Sequence, residues 1–302
     1  MENDCSSESA VFMSPLFRVL PAALVALAIA SPALAMSGPG DKEVVRRNTF
    51  GGACAKCELS GRNLRGAEFM GANFAGSALV GADMREARVL ASNFAGADLS
   101  RVNLSDAEMV GANFAGANLA GARLRGGEAK GVVFAGANLA NADLSDVEAM
   151  GANFAGANLT NARLKNAALN GVVLTGAEAR GSDFSDTALN GANLTGGRFN
   201  RASFRDASLN AAVLSHGDFD GADFRDADLN HASLFGADLS QARGLQQDQL
   251  DEACGDKSTR LPPGLTVRSC RGPVRVMIRA PRIPAPPAIP APPAPPVPVA
   301  RR

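Results

Sequence analysis

A large apolar residue returns at every fifth position of the chain from Leu59 to Leu239, and the phase never slips. The thirty-seven pentads are centred on twenty Leu, eleven Phe, two Met, one Val and three Ala. The residue two places before each centre is small, and twenty-four of the thirty-five such positions from Ala67 to Ala237 are Ala. A period of five therefore governs more than half of the chain.

This period fits neither of the common regular structures. An α-helix turns about 100° per residue, so the apolar stripe would drift by about 140° at each repeat and never form a face. In a flat strand an odd spacing would place successive centres on opposite faces. The pattern instead predicts short extended pieces that each end in a bend, so that every centre points at one axis and the chain winds as a solenoid.

A second period, of twenty residues, predicts the number of sides. The tetrapeptide Asn-Phe-Ala-Gly recurs at 73–76, 93–96, 113–116 and 153–156. Twenty residues are four pentads, so we expect four-sided coils, about nine of them, in a rod roughly 40 Å long with about 4.8 Å between strands. Two ladders of stacked rings should result, one from Phe74, Phe94, Phe114, Phe134 and Phe154 and a second from Phe184, Phe204 and Phe224.

The motifs carry a family resemblance. The runs Ala-Asn-Phe-Ala-Gly-Ala-Asn-Leu at 112–119 and Ala-Asp-Phe-Arg-Asp-Ala-Asp-Leu at 222–229 resemble the pentapeptide-repeat family, whose unit reads Ala-(Asp/Asn)-Leu-X-X. The resemblance implies an all-β fold, the right-handed quadrilateral β-helix, in which the centre and the residue two places before it point inward. Small residues suit that second position, because four walls around a narrow interior leave little space.

The predicted core becomes thinner in the middle of one wall. Ala129 and Ala149 take centre positions there, and Gly127 removes a further methyl group. Val132 and Val147, at small-residue positions, could refill part of the volume. Local repacking is the favoured interpretation, and a small internal void is the alternative.

The N-terminal segment predicts export. Residues 1–35 combine Arg18, the apolar run Val19–Ala30 and a small-X-small cleavage site at 33–35, which is typical of a secretory signal peptide whose true start is Met13. The apolar run is short for a membrane span, and an uncleaved anchor is the alternative. The predicted location is therefore the periplasm.

The remaining sequence divides into four segments. We expect an N-terminal cap over 36–56, the repeats over 57–243, a C-terminal cap over 244–272 and a disordered tail over 273–302. Caps are needed because a β-helix ends in open strand edges that invite pairing with other chains. Phe50 is a candidate plug for the first coil, and Leu245–Ala253 is predicted to form a short helix.

The tail is rich in proline and basic. Ten of the seventeen prolines lie in 281–302, and residues 271–302 contain six Arg and no acid. Such a composition favours an extended, solvated segment. A passive tail is the favoured interpretation, and a weak contact with anionic envelope polymers is the alternative.

The mature chain would keep four cysteines, which allow three pairings. The rod separates the two ends by far more than the 4.4–6.8 Å that disulfide Cα atoms span, so only Cys54–Cys57 and Cys254–Cys270 remain within one monomer. Cys-X-X-Cys also occurs in redox sites and as half of zinc sites. Its place at the start of the first coil favours a structural staple.

Charge is distributed unevenly along the predicted rod. Over 57–205 there are fourteen acids and fourteen bases, whereas 206–241 holds seven Asp and one Arg, a net charge of −6. A solvated, solubilising surface is the usual role of such a cluster. An acidic rod also suggests members of the family that imitate DNA. The candidates for an acidic face are Asp218, Asp220, Asp223, Asp226 and Asp228.

We find no catalytic constellation in the sequence. Glu108, Glu128 and Glu148 should form a column that could attract a cation, while His216 and His231 fall on different walls. There is no Ser/His/Asp or Cys/His set, Trp and Tyr are absent, and no long loop interrupts the pentads to build a concave site. The sequence therefore predicts no enzyme, no cofactor and no metal site.

The favoured function is that of an exported, non-enzymatic solenoid that serves as a structural or protein-interaction surface in the cell envelope. Its partner is an unidentified protein or a further copy of the chain, and no nucleic acid is expected. The first alternative is a DNA-mimicking regulator of a topoisomerase, which requires that the N-terminus is not a signal peptide. The second is a β-helical enzyme acting on polysaccharides, which would need paired acids at a groove.

Overall fold

The computed structural model describes residues 52–270, which wind into a four-sided parallel solenoid. Each pentad pairs in parallel with the pentad twenty residues later, from Ala53↔Asn73 to Asp218↔Asp238 and beyond. The pairing extends to three residues only between β1 (Glu68–Met70) and β2 (Arg88–Leu90). Between the other pentads it is a single bridge.

The four sides are named here by their inward-pointing centres. Wall 1 contains the pentads centred on residue 74 and every twentieth residue after it, wall 2 those from 59, wall 3 those from 64 and wall 4 those from 69. Three hydrogen bonds join each pair of coils at most walls, and one of them comes from the residue two places after the centre, as where the Gly66 amide donates to the Arg85 carbonyl at 2.8 Å. On wall 3, for example, the Leu64 amide donates to the Asp83 carbonyl at 2.7 Å, and the Asp83 amide donates to the Arg62 carbonyl at 2.9 Å.

The corners are tight turns with one left-handed residue. The amide of Ala67 donates to the carbonyl of Leu64 at 3.0 Å, and Gly66, the third residue of this turn, has a φ of 64°. A positive φ at that position is the mark of a type II turn and favours Gly. The same conformation recurs at every fifth residue from Lys56 to Gly236, and most of these residues are Gly, Asn or Asp.

The Asn and Asp residues before the centres have a structural role. The Asn73 side-chain oxygen accepts a hydrogen bond from the Ala75 amide at 3.2 Å, and Asn93 does the same for Ala95 at 3.1 Å. This amide precedes the left-handed corner residue and does not take part in the bonds between coils. A short side-chain acceptor two residues earlier satisfies it locally, as in an Asx turn.

The interior is one continuous apolar column. The rings of Phe74 to Phe154 stack along wall 1 with centroids 5.0–5.4 Å apart, as the twenty-residue period predicts. Phe184, Phe204 and Phe224 stack likewise on wall 3. A third stack, Phe199 on Phe219 at 5.2 Å, lies on wall 2 and is not among the ladders expected from the sequence.

In the thinned part of wall 4 a neighbouring side chain takes up the space beside Gly127. Ala129, Ala149, Val132 and Val147 are all buried. The terminal methyl of Met109 lies only 3.0 Å from the place where a Cβ on Gly127 would be. The long Met side chain therefore occupies the space that the glycine leaves, in keeping with local repacking.

The C-terminal end departs from the pentad phase after residue 243. Helix α1 is four residues long (Gln247–Leu250), shorter than the helix predicted over 245–253, and it buries Leu250 against the last coil. The Gln249 side-chain amide donates to the carbonyls of Phe224 and Ala227 at 2.8 and 2.7 Å. The Ala227 carbonyl has no further coil to pair with, so the glutamine closes that edge.

Two short strands extend wall 1 beyond the repeats. β3 (Cys254–Gly255) pairs with Ser233 on one side and with β4 (Arg268–Ser269) on the other, all in parallel. The wall thus gains two layers after its last regular pentad. The Thr259 hydroxyl, which donates to the Leu234 carbonyl at 2.8 Å, ties the intervening loop to the same wall.

At the N-terminal end the ladder starts one pentad earlier than the sequence predicts. Ala53 pairs with Asn73, and Cys54 takes the centre position of wall 1 directly before Phe74. The predicted signal peptide, most of the N-terminal cap with Phe50, and the predicted tail lie outside the described residues. Within residues 52–270, no helix is long and apolar enough to cross a membrane.

Candidate interaction surfaces

Both predicted cysteine pairs are joined in the structure. Cys54 and Cys57 have Cα atoms 5.4 Å apart and occupy the first and fourth residues of the first corner turn. Cys254 and Cys270, with Cα atoms 4.9 Å apart, fasten the end of β4 to β3. Each bond therefore closes one end of the described rod, which suits a staple better than a reactive site.

The acidic candidates do not share one wall. Asp218 and Asp220 lie on wall 2, Asp223 and Asp226 on wall 3, and Asp228 on wall 4. Together they form a short acidic belt around the last coils. Because a DNA mimic needs a continuous acidic surface along the rod, this short belt provides little of one.

Arginines neutralise part of the belt. The Asp223 carboxylate is nearly buried and pairs with Arg225, and this hydrogen-bonded pairing lowers the pKa of Asp223 although burial opposes it. Burial also acts to raise the pKa of Asp238. The hydrogen bonds from Ser240 and from Arg260, at 2.9 Å, outweigh that effect, so this pKa too is lowered.

The glutamate column on wall 4 exists but is occupied by the protein's own cations. Glu108 pairs with Arg88 at 2.9 Å, and the Lys130 ammonium lies 2.8 Å from Glu128 and 2.9 Å from Glu148. Hydrogen bonds to these two carboxylates raise the pKa of Lys130. In the part of the chain that is described, no three potential metal ligands come close enough to hold an ion.

The two histidines lie at different corners. His216 lies at the corner between walls 1 and 2 and contacts the Phe235 ring, with centroids 6.0 Å apart. His231 lies at the corner between walls 4 and 1, 3.8 Å from Glu252. They are thus separated by one wall of the solenoid and share no ligand or proton-transfer partner in the structure.

Wall 3 contains an open polar groove of about 360 Å³. Its side chains are largely engaged with one another, since Arg125 pairs with Asp146 at 2.9 Å and Lys165 with Asp186 at 3.4 Å. The other lining residues are Asp143, Ser145, Arg163 and Asn166. The Ser145 hydroxyl donates to the Asp143 carboxylate at 2.6 Å, but Ser105 makes the same local bond to the Asn103 side chain at 2.7 Å in an earlier coil, so this bond belongs to the repeat. The groove also has no isolated pair of acids, and its geometry therefore does not indicate catalysis.

Wall 1 differs from the other walls in charge. Its nine pentads from Phe74 to Leu234 contribute twenty-seven outward positions, and none is Asp, Glu, Lys or Arg. The nine pentads of wall 3 from Leu64 to Phe224 have six charged residues at each of the three outward positions, eighteen in all. Over these nine pentads wall 1 is therefore an uncharged strip, mostly of Asn, Ala and Gly, and charge returns only in its end layers, at Lys56 and Arg268.

Taken together, these features define a class of protein: a capped, four-sided β-solenoid that presents flat walls. The model of pentapeptide repeats matches this chain in eight copies, over residues 54–88, 92–127, 130–166, 157–196 and 202–241. The chain therefore belongs to the pentapeptide-repeat family, and its fold is that family's right-handed quadrilateral β-helix. Members of the family generally act as structural or interaction proteins and not as enzymes.

Solved structures support the same assignment. HetL, a pentapeptide repeat protein involved in heterocyst differentiation regulation from the cyanobacterium Nostoc sp. strain PCC 7120, is 27% identical, with a TM-score of 0.62. The alignment covers 70% of this chain and 92% of HetL. A search of curated protein sequences returns no match.

Two further structures are more distant. Full-length QnrB1, a plasmid-mediated fluoroquinolone resistance protein, is 17% identical over 63% of this chain and 92% of its own, with a TM-score of 0.35. A pentapeptide repeat protein from the Arabidopsis thaliana thylakoid lumen is 24% identical over 45% of this chain and 82% of its own, with a TM-score of 0.14. At these scores neither structure adds to the description of the fold.

Proposed function

We propose that this chain is an exported, non-enzymatic solenoid whose wall 1 binds a flat, uncharged surface of another protein in the cell envelope. The observation that carries the proposal is the lack of charge over the nine pentads of wall 1 from Phe74 to Leu234, in contrast with the densely charged wall 3 on the opposite side of the solenoid. A protein surface that excludes charge over such a length loses little solvation energy when it is covered, so it is suited to contact with another protein.

The size of the wall indicates the strength of the contact. Nine pentads at about 4.8 Å span about 38 Å, and three outward residues at about 3.3 Å each give a width near 10 Å. The resulting footprint of about 400 Å² is half of the roughly 800 Å² that each partner buries in a standard stable interface. We therefore expect a weak, reversible contact unless a neighbouring wall also takes part.

Export is part of the proposal and rests on the sequence of residues 1–35. Two bonded cysteine pairs support it, because disulfides persist mainly in oxidising compartments. Fractionation of cells that express the tagged protein tests this point directly. Processed protein in the periplasm is expected, and mass spectrometry should show that residues 1–35 are absent. Unprocessed protein in the cytosol would instead favour the topoisomerase regulator.

The binding surface can be tested with matched charge insertions. Arg in place of Ala115 and Ala135 places two cations on wall 1, whereas Arg in place of Ala120 and Ala140 does the same on wall 2, at the same pentad position of the same coils. All four alanines are half-buried and point outward. We expect the wall 1 pair to lose the proteins that co-purify from the envelope fraction and the wall 2 pair to keep them. Equal loss from both variants would contradict the assignment to wall 1.

A further inference from the structure

An exposed aromatic side chain lies near the C-terminal end of wall 1. Every other Phe in residues 52–270 is buried, but Phe235 is 44% exposed. The corresponding outward position in earlier coils of this wall is Ala, Thr or Ser. The exposed His216 ring meets Phe235 edge-on, with an interplanar angle of 80°. The fold does not require an aromatic residue here, so the pair provides a platform with no evident structural role.

Two carboxylates border the platform across the corner. Asp218 and Asp220 follow His216 on wall 2, and within residues 52–270 neither has a cationic side chain within 4.0 Å. The Asp218 carboxylate accepts a hydrogen bond from the Asp220 amide at 3.1 Å. Asp238, one coil further, is instead neutralised by Arg260. The corner thus combines an apolar ring surface with two carboxylates that form no ion pair with any residue of 52–270.

The chain beyond the described residues has the complementary chemistry. Residues 271–302 contain six Arg, no acid and a high proportion of proline, and their charge of +6 matches the −6 of residues 206–241. Proline-rich segments commonly bind on exposed aromatic rings, while arginines next to them pair with carboxylates. Each half of this recognition mode is therefore present in the same chain.

The tail also starts close to the platform. The Cα of Cys270 lies 4.9 Å from that of Cys254, which pairs with Ser233, two residues before Phe235. With about 4.8 Å between paired strands and about 3.3 Å per residue, the path from Cys270 to Phe235 is about 16 Å, or roughly five extended residues. A segment tethered at this distance has an effective concentration on the order of millimolar, so even a weak contact would form within the chain.

We propose that residues 273–302 dock on their own rod, with prolines against Phe235 and His216 and arginines at Asp218 and Asp220. The tail then covers the corner between walls 1 and 2 at the C-terminal end. Anionic polymers of the envelope have to compete with these two carboxylates for the same arginines. This inference does not depend on whether wall 1 binds another protein.

Photo-crosslinking in the full chain tests the proposal. A benzophenone side chain in place of Met277 should crosslink to the tryptic peptides 206–225 and 226–243, which contain the platform. The yield should fall at least threefold when 0.05 M salt is raised to 0.5 M, because salt screens the charge pairing. It should fall by a similar factor in Phe235→Ala and in the double variant Asp218→Asn/Asp220→Asn.

A matched variant distinguishes docking at this corner from general attraction. Asp226→Asn/Asp228→Asn removes the same charge from walls 3 and 4 and should leave the yield unchanged. Asn already occupies each of these pentad positions elsewhere in the chain, so circular dichroism should show that both double variants are folded. Equal loss in both double variants, crosslinks spread along the whole rod, or no crosslink would overturn the proposal. Crosslinks only between isotopically distinct copies would instead assign the site to a second molecule's tail.

Discussion

Gly197 and Phe199 share one inward space on wall 2, and replacing the glycine tests how tightly the core is packed. A Cβ added to Gly197 would lie 2.5 Å from Cε2 and 3.1 Å from Cζ of the Phe199 ring. The ring is fully buried and stacks on Phe219 at 5.2 Å, so it cannot rotate away freely. Overpacking of this kind typically costs 1–3 kcal/mol, and the stiffer unfolded chain returns about 0.4–1 kcal/mol. We expect Gly197→Ala to lower the free energy of unfolding by about 1–2 kcal/mol.

A second substitution should relieve the clash. In the wall 2 pentad two coils earlier, Ala157 and Leu159 occupy the same two positions and are both buried. Phe199→Leu alone should cost about 1 kcal/mol through the lost volume. Because the smaller side chain makes room for the new methyl group, Gly197→Ala/Phe199→Leu should be little worse than Phe199→Leu alone. The coupling energy should thus be about 1–2 kcal/mol, within the range found for residues in contact.

Urea unfolding followed by circular dichroism provides the measurement, with m-values compared because solenoids can unfold in parts. Gly131→Ala is the control: a Cβ there meets nothing within 4 Å, but φ is 63°, so only the left-handed backbone is strained. It should cost about 1 kcal/mol, and Phe199→Leu should not rescue it. Additive effects of Gly197→Ala and Phe199→Leu would refute the packing argument.

Three further outcomes follow from the structure. Ala211→Gly should raise the free energy of unfolding by about 1 kcal/mol, because Ala211 has a φ of 55°; an unchanged urea midpoint would contradict this. The Asp256 carboxylate accepts hydrogen bonds from Ser258 first of all, which lower its pKa to about 2. The stabilising effect of this carboxylate should be complete above about pH 4 and lost as the pH falls toward 2. The urea midpoint of Asp256→Asn should therefore change less with pH than that of the wild type between pH 4 and pH 2, whereas near pH 7 the two should depend on pH in the same way. Cys254→Ser should lower the free energy of unfolding by about 3 kcal/mol, as expected for a loop of this length, and should make the cap of the variant less sensitive to reductant than that of the wild type.

The sequence predicts the architecture well because each pentad is a complete structural unit. The spacing of five excludes helix and flat strand, and the twenty-residue recurrence of Phe74, Phe94 and Phe114 indicates which rings stack. The register between coils follows from the number of residues per coil, since only a loop of irregular length could change it. The centre and small positions were therefore identifiable residue by residue.

Features that interrupt the count were harder to predict. Cys54 is a poor substitute for Leu or Phe, so the first pentad was not recognised although it pairs with the next coil. Helix α1 is shorter than predicted because Gln249 and Leu250 already close the end of wall 4, after which β3 returns to wall 1. The exposure of Phe235 could have been predicted from the pentad phase, because Phe235 follows the centre Leu234 and residues at that position point outward.

The strongest argument that wall 1 has a function comes from comparison of the walls with one another. All four walls have the same turns and the same backbone bonds between coils, so folding makes the same demands on the backbone of each. Wall 3 shows that charged residues are tolerated at two thirds of these outward positions, eighteen of twenty-seven, while wall 1 has none. Stability of the solenoid cannot explain the difference, because one backbone geometry serves both. The absence of charge on wall 1 therefore indicates a requirement from outside the fold, and contact with another surface is a requirement that an uncharged wall meets.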